Sequence, residues 1–303
     1  MKDYMKAWIL AKKHNFDSYE NKRFIEEAEK SELDVKIVAP EDFEIIVTKE
    51  GRKSILYNGE SLELPDFLIP RMGAGTTYFA LAVIRHLEKL GVFILNSSQS
   101  IENSRDKLAA LQILASNNIP IPKTMLAKFP LNIEIVEKEF TYPMIVKTVS
   151  GAEGKGVFLC EKKVQLKDLA DLMEVSIDPK INVILQEFVT PSKGKDIRVI
   201  VIGGRAIGAM LRTAGRGKFK ANYSAGGKVE ALKLNPTLEW LAVESSKMLG
   251  LEIAGVDLLF DGDNYKICEV NSAPGFDGFE KATEINIPQK IYQYAKIRFE
   301  GHP

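Results

Sequence analysis

Two apolar runs dominate the C-terminal third: Ala254-Gly255-Val256-Asp257-Leu258-Leu259-Phe260 and Ile267-Cys268-Glu269-Val270-Asn271, separated by the turn-rich Asp261-Gly262-Asp263-Asn264. The pattern predicts a buried β-hairpin. Side chains two apart on a strand share a face, so Glu269 and Asn271 project together, and Asp257 on the partner strand can face them. A buried carboxylate is costly unless something positive meets it. No Lys or Arg lies between Ile267 and Gly278. Hard oxygen donors without His or Cys select Mg²⁺ or Mn²⁺, commonly shared with a phosphate. The plainer alternative, a polar hairpin with hydrogen-bonded turn residues, suits any one of the three better than it suits the set.

The rest of the composition narrows the class. A chain of 303 residues has room for about two domains. Its 41 basic and 41 acidic residues cancel, so no global field favours nucleic acid or an anionic membrane, and an anion site has to come from local basic groups. Cys160 and Cys268 sit in apolar strand-like runs and read as buried free thiols in a reducing compartment. His14, His86 and His302 show no metal-ligand spacing. No apolar run reaches the roughly 18 residues of a membrane span, and Ala7 to Ala11 is too short for a signal-peptide core. The expected location is cytoplasmic.

Residues 6–95 alternate strand-like and helix-like segments: Ala7 to Leu10, Asn21 to Ser31, Val35 to Val38, Phe67 to Ile69, Tyr78 to Leu90 and Val92 to Leu95. That alternation argues a small open parallel sheet. Glu44 to Leu64 reads as a hairpin insertion with turns near Glu50-Gly51 and Asn58-Gly59. Ser104 is the expected N-cap of a helix running to about Ser116. Strands are expected from Met144 to Cys160 and from Asn182 to Met210, around a short helix at Leu166 to Met173. Helices are expected at Leu238 to Leu249 and Pro288 to Phe299. The whole reads as an α/β N-terminal third followed by an α+β remainder that divides again near residue 184.

Thr148 to Val157 is glycine-rich, with Gly151, Gly154 and Gly156, and is flanked on both sides by strand-like sequence. The dinucleotide fingerprint and the P-loop both require a following helix, so neither fits. A Rossmann oxidoreductase is further disfavoured because Ala11 to Ser18 contains no glycine. A strand-turn-strand flap can still lay backbone N–H groups on phosphate oxygens, although glycine-rich hairpin tips are often purely structural. Lys147, at the end of the preceding apolar strand, suits a phosphate or a snorkelling edge position. Lys107 is either a solvated helix-face charge or an anion ligand. Asp196 and Arg198 share a strand face, a spacing usual for a surface ion pair. The segment Gly215 to Gly227 holds Arg216, Lys218, Lys220 and Asn222 and no acidic residue. Basic groups on one side and metal ligands on the other are what a polyphosphate site needs.

Taken in order, these segments resemble the ATP-grasp fold, and within it the RimK-like alpha-L-glutamate ligases of the ribosomal protein glutamate-ligase type. The matching pieces are Ile69 to Gly73, Asn103 to Lys107, the Lys147 strand and flap, Gln186 to Val189, Asp196 to Arg198, Phe219 to Asn222 with Gly226-Gly227, Ala254 to Asp257, and Glu269 to Gly275 with Glu280 to Thr283. The resemblance implies a pre-ATP-grasp domain at 1–97, a central lid subdomain at 98–184 and a catalytic subdomain at 185–303. It places ATP phosphates at Lys107 and Lys147 beneath Gly151, Gly154 and Gly156. It places adenine along Gln186, Glu187, Phe188 and Val189, and ribose at Asp196. Lys220, Ala221 and Asn222 stand near the triphosphate, although the family often has Arg at the Lys220 position. Asp257, Glu269 and Asn271 bind two Mg²⁺ or Mn²⁺, with Glu269 bridging. Arg198, Arg212 and Asn222 carry the catalytic roles, and Arg71 and Ser272 the substrate contacts.

The activity implied is transfer of the ATP γ-phosphate to an acceptor carboxylate, then amide formation with an amino acid, glutamate in that family. The acceptor class is a carboxylate such as a protein or peptide C-terminus, and the assembly a dimer or tetramer. A ligase for another amino acid or acceptor (a cofactor tail, a carrier protein, a small peptide) and a non-catalytic nucleotide-binding regulator are the competing readings. A substrate panel separates the first two; intact ligands and lysines speak against the third.

Overall fold

The structure, a computed structural model, describes residues 4–49, 54–61, 63–127, 130–148, 156–176, 182–215, 219–221 and 226–301. The N-terminal lobe carries β1 (Met5–Leu10), α1 (Tyr19–Ala28), β2 (Leu33–Val38), the short strands β3 (Phe43–Ile45), β4 (Ile55–Tyr57) and β5 (Glu60–Ser61), then β6 (Phe67–Pro70), α2 (Tyr78–Lys89) and β7 (Phe93–Ile94). Strands β2-β1-β6-β7 form a wholly parallel sheet. Period-two alternation divides its residues between two cores. Trp8, Leu10 and Leu68 meet α2 through Leu81, Ile84 and Leu87, while Ala7, Ile9, Phe67 and Ile69 face the opposite way. The insertion is a three-stranded antiparallel sheet, β3-β4-β5. Asn58 and Gly59 both take positive φ at its second turn, which suits the twist of a tight hairpin. The Glu50-Gly51 turn lies outside the described residues.

The next segment corrects one sequence expectation. A single helix capped by Ser104 is replaced by two, α3 (Ser98–Arg105) and α4 (Lys107–Ser116). Asp106 adopts extended backbone between them, and its carboxylate accepts from the Leu108 and Ala109 N–H groups. Asp competes well for free helix N–H donors. Ser104 lies inside α3 and donates to the Ile101 carbonyl. The central lobe follows: β8 (Thr124–Ala127), α5 (Ile133–Glu139), β9 (Met144–Thr148), β10 (Val157–Cys160), α6 (Lys163–Ser176) and β11 (Val183–Glu187). Its sheet runs β10-β9-β11-β8, and α5 and α6 cover one face around Val146, Phe140, Leu166 and Leu185. Helix α6 is longer at both ends than the apolar spacing suggested.

The C-terminal lobe contains β12 (Lys195–Ile202), β13 (Arg205–Thr213), β14 (Lys228–Leu232), α7 (Pro236–Met248), β15 (Ile253–Asp261), β16 (Asn264–Asn271), α8 (Asp277–Thr283) and α9 (Ile287–Glu300). Its antiparallel sheet is ordered β14-β13-β12-β15-β16. One face packs on α7 and α4 through Ile197, Val199, Val201, Val256 and Leu258. The other changes character along its length. Ile200 and Ile202 join the N-terminal lobe's Phe24, Phe67 and Ile69 in one core with Phe276, Phe279 and Tyr292. Asp196 and Arg198, four and two residues before Ile200 on the same strand face, line a cavity instead.

Candidate active site

The cavity encloses about 600 Å³ between the central and C-terminal lobes. Its central-lobe wall presents Ile145 and Lys147 from β9, Val157 from β10 and Gln186 from β11. Lys147 is buried, and its ammonium donates to Gln186 Oε1 at 3.1 Å. The Gln186 amide in turn donates to Thr124 Oγ1 at 2.8 Å. A cation held at 7% exposure by one neutral amide retains strong attraction for an anion. Glu187, Phe188 and Val189 continue the wall as an extended connector, with Glu187 paired to Lys266. Lys107, Lys195 and Lys220 add further cations to the lining, beside Ala221; burial pulls the Lys220 pKa down.

The C-terminal wall is a charge ladder across four adjacent strands. Arg212 on β13 stands opposite Asp196 on β12, and Arg198 on β12 stands opposite Asp257 on β15. Asp257 in turn stands opposite Glu269 on β16. Arg212 donates to both Asp196 oxygens at 2.5 and 2.9 Å. Arg198 grips Asp257 with Nε on Oδ1 and Nη2 on Oδ2, both at 2.7 Å, and Arg212 Nη2 also reaches Asp257 Oδ2 at 2.9 Å. The Arg212–Asp196 and Arg198–Asp257 pairs are therefore cross-strand, each between a buried and a partly buried residue, which corrects the expectation of an exposed pair between Asp196 and Arg198. The positive charge that the hairpin lacks comes from the neighbouring strands. Burial works to raise the Asp257 pKa, but Arg198 and Arg212 outweigh it and hold the carboxyl below its ordinary value. At Asp196 burial wins and the pKa rises despite Arg212.

A β-bulge arms the far edge of this wall. Asp257 pairs with Glu269 and Leu258 with Ile267, so Cys268 is the extra residue. Alternation breaks there. Ile267 and Val270 stay in the core beneath, while Cys268, Glu269 and Asn271 all line the cavity. Both cysteines are free thiols as expected and Cys160 is buried, but Cys268 keeps partial exposure because it lines the cavity. Burial of its sulfur pushes the Cys268 pKa up to about 11, so a neutral thiol stands beside the carboxylates. Among the described residues Glu269 forms no ion pair, and the Asn271 amide nitrogen donates to the Gly255 carbonyl at 3.5 Å, which leaves the amide oxygen of this cavity-lining residue as an acceptor. Asp257, Glu269 and Asn271 thus offer hard oxygen atoms with the soft sulfur protonated, a donor set that fits Mg²⁺ or Mn²⁺. Among the described residues no group of three His, Cys, Asp or Glu is placed to hold a metal, so a metal on this wall would need the Asn271 amide oxygen as a third ligand.

Other expected site residues fall elsewhere. Arg71 packs its guanidinium over Phe24 and Phe276 and donates to the Pro274 carbonyl at 2.8 Å, at the interlobe core. The Ser272 carbonyl accepts from Asn96. Gly156 has φ of +72° and Thr148 close to where a Cβ would stand. Gly151, Gly154 and Asn222 lie outside the described residues. Sequence reasoning missed Asn96, whose side chain makes four bonds: to the Ile253 and Ser272 carbonyls and from the Glu252 and Ile253 N–H groups. A lone Asn after an apolar strand carries no signal for this. Glu20 and Asp277, which line the N-terminal-lobe end of the cavity, were also missed.

Comparison with known proteins decides the family. Residues 104–295 match the RimK-like ATP-grasp domain, and residues 5–101 match the RimK PreATP-grasp domain. The chain belongs to the RimK-like ATP-grasp family. It is accordingly an ATP-grasp ligase, an enzyme class that forms carbon–nitrogen bonds and uses ATP and magnesium. A protein of Legionella pneumophila (strain Corby) named "Probable alpha-L-glutamate ligase" is 38% identical over 291 residues, covering 96% of this chain and 95% of its own. One of the same name from Rhodopirellula baltica is 39% identical over 283 residues, 93% of this chain and 69% of that one. The ATP-grasp ligase PsnB, solved with a minimal precursor, shares the fold at a TM-score of 0.76 and 20% identity, covering 98% of this chain and 99% of PsnB. The D-alanine–D-alanine ligase of Bacillus anthracis, solved with ATP, does so at 0.69 and 16%, with 98% and 99% covered. The RimK-like ATP-grasp ligase expected from the motifs is borne out, as is the mixed α/β and α+β architecture. No helix among the described residues is long and apolar enough to cross a membrane.

Proposed function

We propose that this ligase phosphorylates an acceptor carboxylate with ATP and joins glutamate to it through an amide bond, releasing ADP and phosphate. One observation carries the reading: a single cavity sets Asp257, Glu269 and Asn271 across from Lys107, Lys147 and Lys220. Negative charge accumulates as phosphate, carboxylate and later oxyanion meet, and a site of this kind answers it from both sides. Lys147 and Lys107 hold the polyphosphate, and the Glu187 to Val189 connector, through its backbone, holds the base. Asp257, Glu269 and Asn271 would hold two divalent ions, which when bound would neutralise phosphate charge and act as Lewis acids. The acyl phosphate loses phosphate when the amine attacks its carbonyl carbon, and the amine gives up a proton. The relatives' shared name supports glutamate as the amine. A peptide acceptor is supported by PsnB and by the macrocyclase MdnC of Microcystis aeruginosa, both solved with precursor peptides.

The test is ADP release by the purified enzyme with a panel of amino acids and peptide carboxylates, and mass spectrometry of the products. Glutamate with a peptide acceptor is expected to give the largest turnover and a product heavier by one glutamyl residue. Glu269→Ala is expected to lower that turnover by at least about a hundredfold. Full activity in the variant would remove Glu269 from the reaction.

A further inference from the structure

The ladder that floors the cavity is nearly neutral. Asp196, Asp257 and Glu269 face Arg198 and Arg212, which leaves one net negative charge on the wall expected to receive two divalent cations. More telling is where the charges are spent. Each Asp257 oxygen accepts from a guanidinium, Oδ1 from Arg198 and Oδ2 from both Arg198 and Arg212. The arginines do not arrive by chance. Arg198 stands directly opposite Asp257 in strand register, and Asp196 anchors Arg212 from one side. A divalent ion approaching Asp257 alone meets two fixed positive charges within hydrogen-bond distance of its ligand.

Resting on the ligase reading above, we propose that Arg198 is a positioning residue that closes Asp257 to free divalent metal, so that the metal enters only together with the nucleotide's polyphosphate. The polyphosphate supplies the missing negative charge and offers the guanidinium an alternative anion to grip. Arg198 then leaves Asp257 for phosphate, and Asp257 becomes a ligand. Binding of the metal and binding of the nucleotide are in this way one coupled event, and by linkage each strengthens the other by the same factor. A charged guanidinium is suited to the exchange because carboxylate and phosphate fit its fork alike.

The experiment titrates Mn²⁺ into the full-length protein and reads free Mn²⁺ by electron paramagnetic resonance, with and without a non-hydrolysable ATP analogue. In the wild type, Mn²⁺ is expected to bind weakly by itself and at least about tenfold more tightly with the analogue, beyond the analogue's own affinity for Mn²⁺. Arg198→Gln is expected to tighten nucleotide-free binding by roughly tenfold or more, because a fixed charge beside the ligand is gone. Arg212 still partners Asp257 in that variant. Arg198→Lys, which keeps the charge and loses the fork, is expected to fall between the two, and circular dichroism checks that both variants are folded. The proposal is overturned if Arg198→Gln binds nucleotide-free Mn²⁺ no better than the wild type, or worse, since the arginine would then be organising the carboxylate. It is also overturned if the wild type binds Mn²⁺ equally with and without the analogue. Failure of the underlying metal assignment has a different mark: Asp257→Asn would leave Mn²⁺ binding with the analogue unchanged.

Discussion

Cys268 shows how much of the site's chemistry depends on one residue's surroundings. The residue lines the cavity, yet burial lifts its pKa to about 11. The thiolate is the reactive form. Near neutral pH only about one thiol in ten thousand is ionised, against a few per cent for an ordinary cysteine. Alkylation of Cys268 by iodoacetamide is therefore expected to accelerate about tenfold for each pH unit and to level off only around pH 11, as read by peptide mass spectrometry, which separates it from buried Cys160. Saturating ATP is expected to slow the reaction. A plateau already reached two units lower would mean that the thiol is wetter than its surroundings imply. Lys147 and Glu269 were legible in the sequence because a charge inside an apolar strand is anomalous by itself. Cys268 was not, because a small apolar-compatible residue in an apolar strand raises no question, and only the bulge turns it into the cavity.

At the scale of elements, register does what spacing cannot reveal. The strands β12, β13, β15 and β16 were each readable as apolar strand-like segments, and the shared face of Glu269 and Asn271 followed from period two. That Arg212, Asp196, Arg198, Asp257 and Glu269 lie side by side depends on the order β13-β12-β15-β16, which pairs segments far apart in the chain. The turn after β16 is fixed by a similar long-range contact. A Cβ added to Gly255 would stand 2.5 Å from Pro274 Cβ, so the strand and the Ser272 to Gly275 turn touch with no space between them. The Pro274 carbonyl is also held by Arg71. Gly255→Ala is expected to destabilise the protein by about 1–3 kcal/mol through overpacking, seen as a lower denaturation midpoint in urea. Because Gly255 pairs with Asn271, nucleotide-dependent Mn²⁺ binding is expected to weaken as well. An unchanged midpoint would show that the turn yields freely.

The whole molecule is joined less evenly than its strand-helix sequence pattern suggests. The N-terminal parallel sheet lends one face to a core that includes Ile200, Ile253, Phe276, Phe279 and Tyr292 of the C-terminal lobe, while the central lobe closes its own core around Val146 and Leu185. Sequence patterning gave three regions but could not say which of them share an interior, because a buried face looks the same whichever partner covers it. Phe276 is the test. It is fully buried, and its ring meets Phe24 edge-on at 5.7 Å across the lobes. Phe276→Ala is expected to cost about 3–5 kcal/mol. If the shared core unfolds as one cooperative unit, amide hydrogen exchange will accelerate by a common factor in β1 and β6 and in β12 and β15. Strands β9 and β11, whose side chains pack elsewhere, are expected to keep more of their protection. The cavity lies between these two units, so a central lobe that opens without disturbing the floor would admit the nucleotide proposed above while the ladder of Arg198 and Asp257 stays assembled. Loss of protection confined to the C-terminal lobe would instead make the N-terminal sheet a separately stable body docked on it.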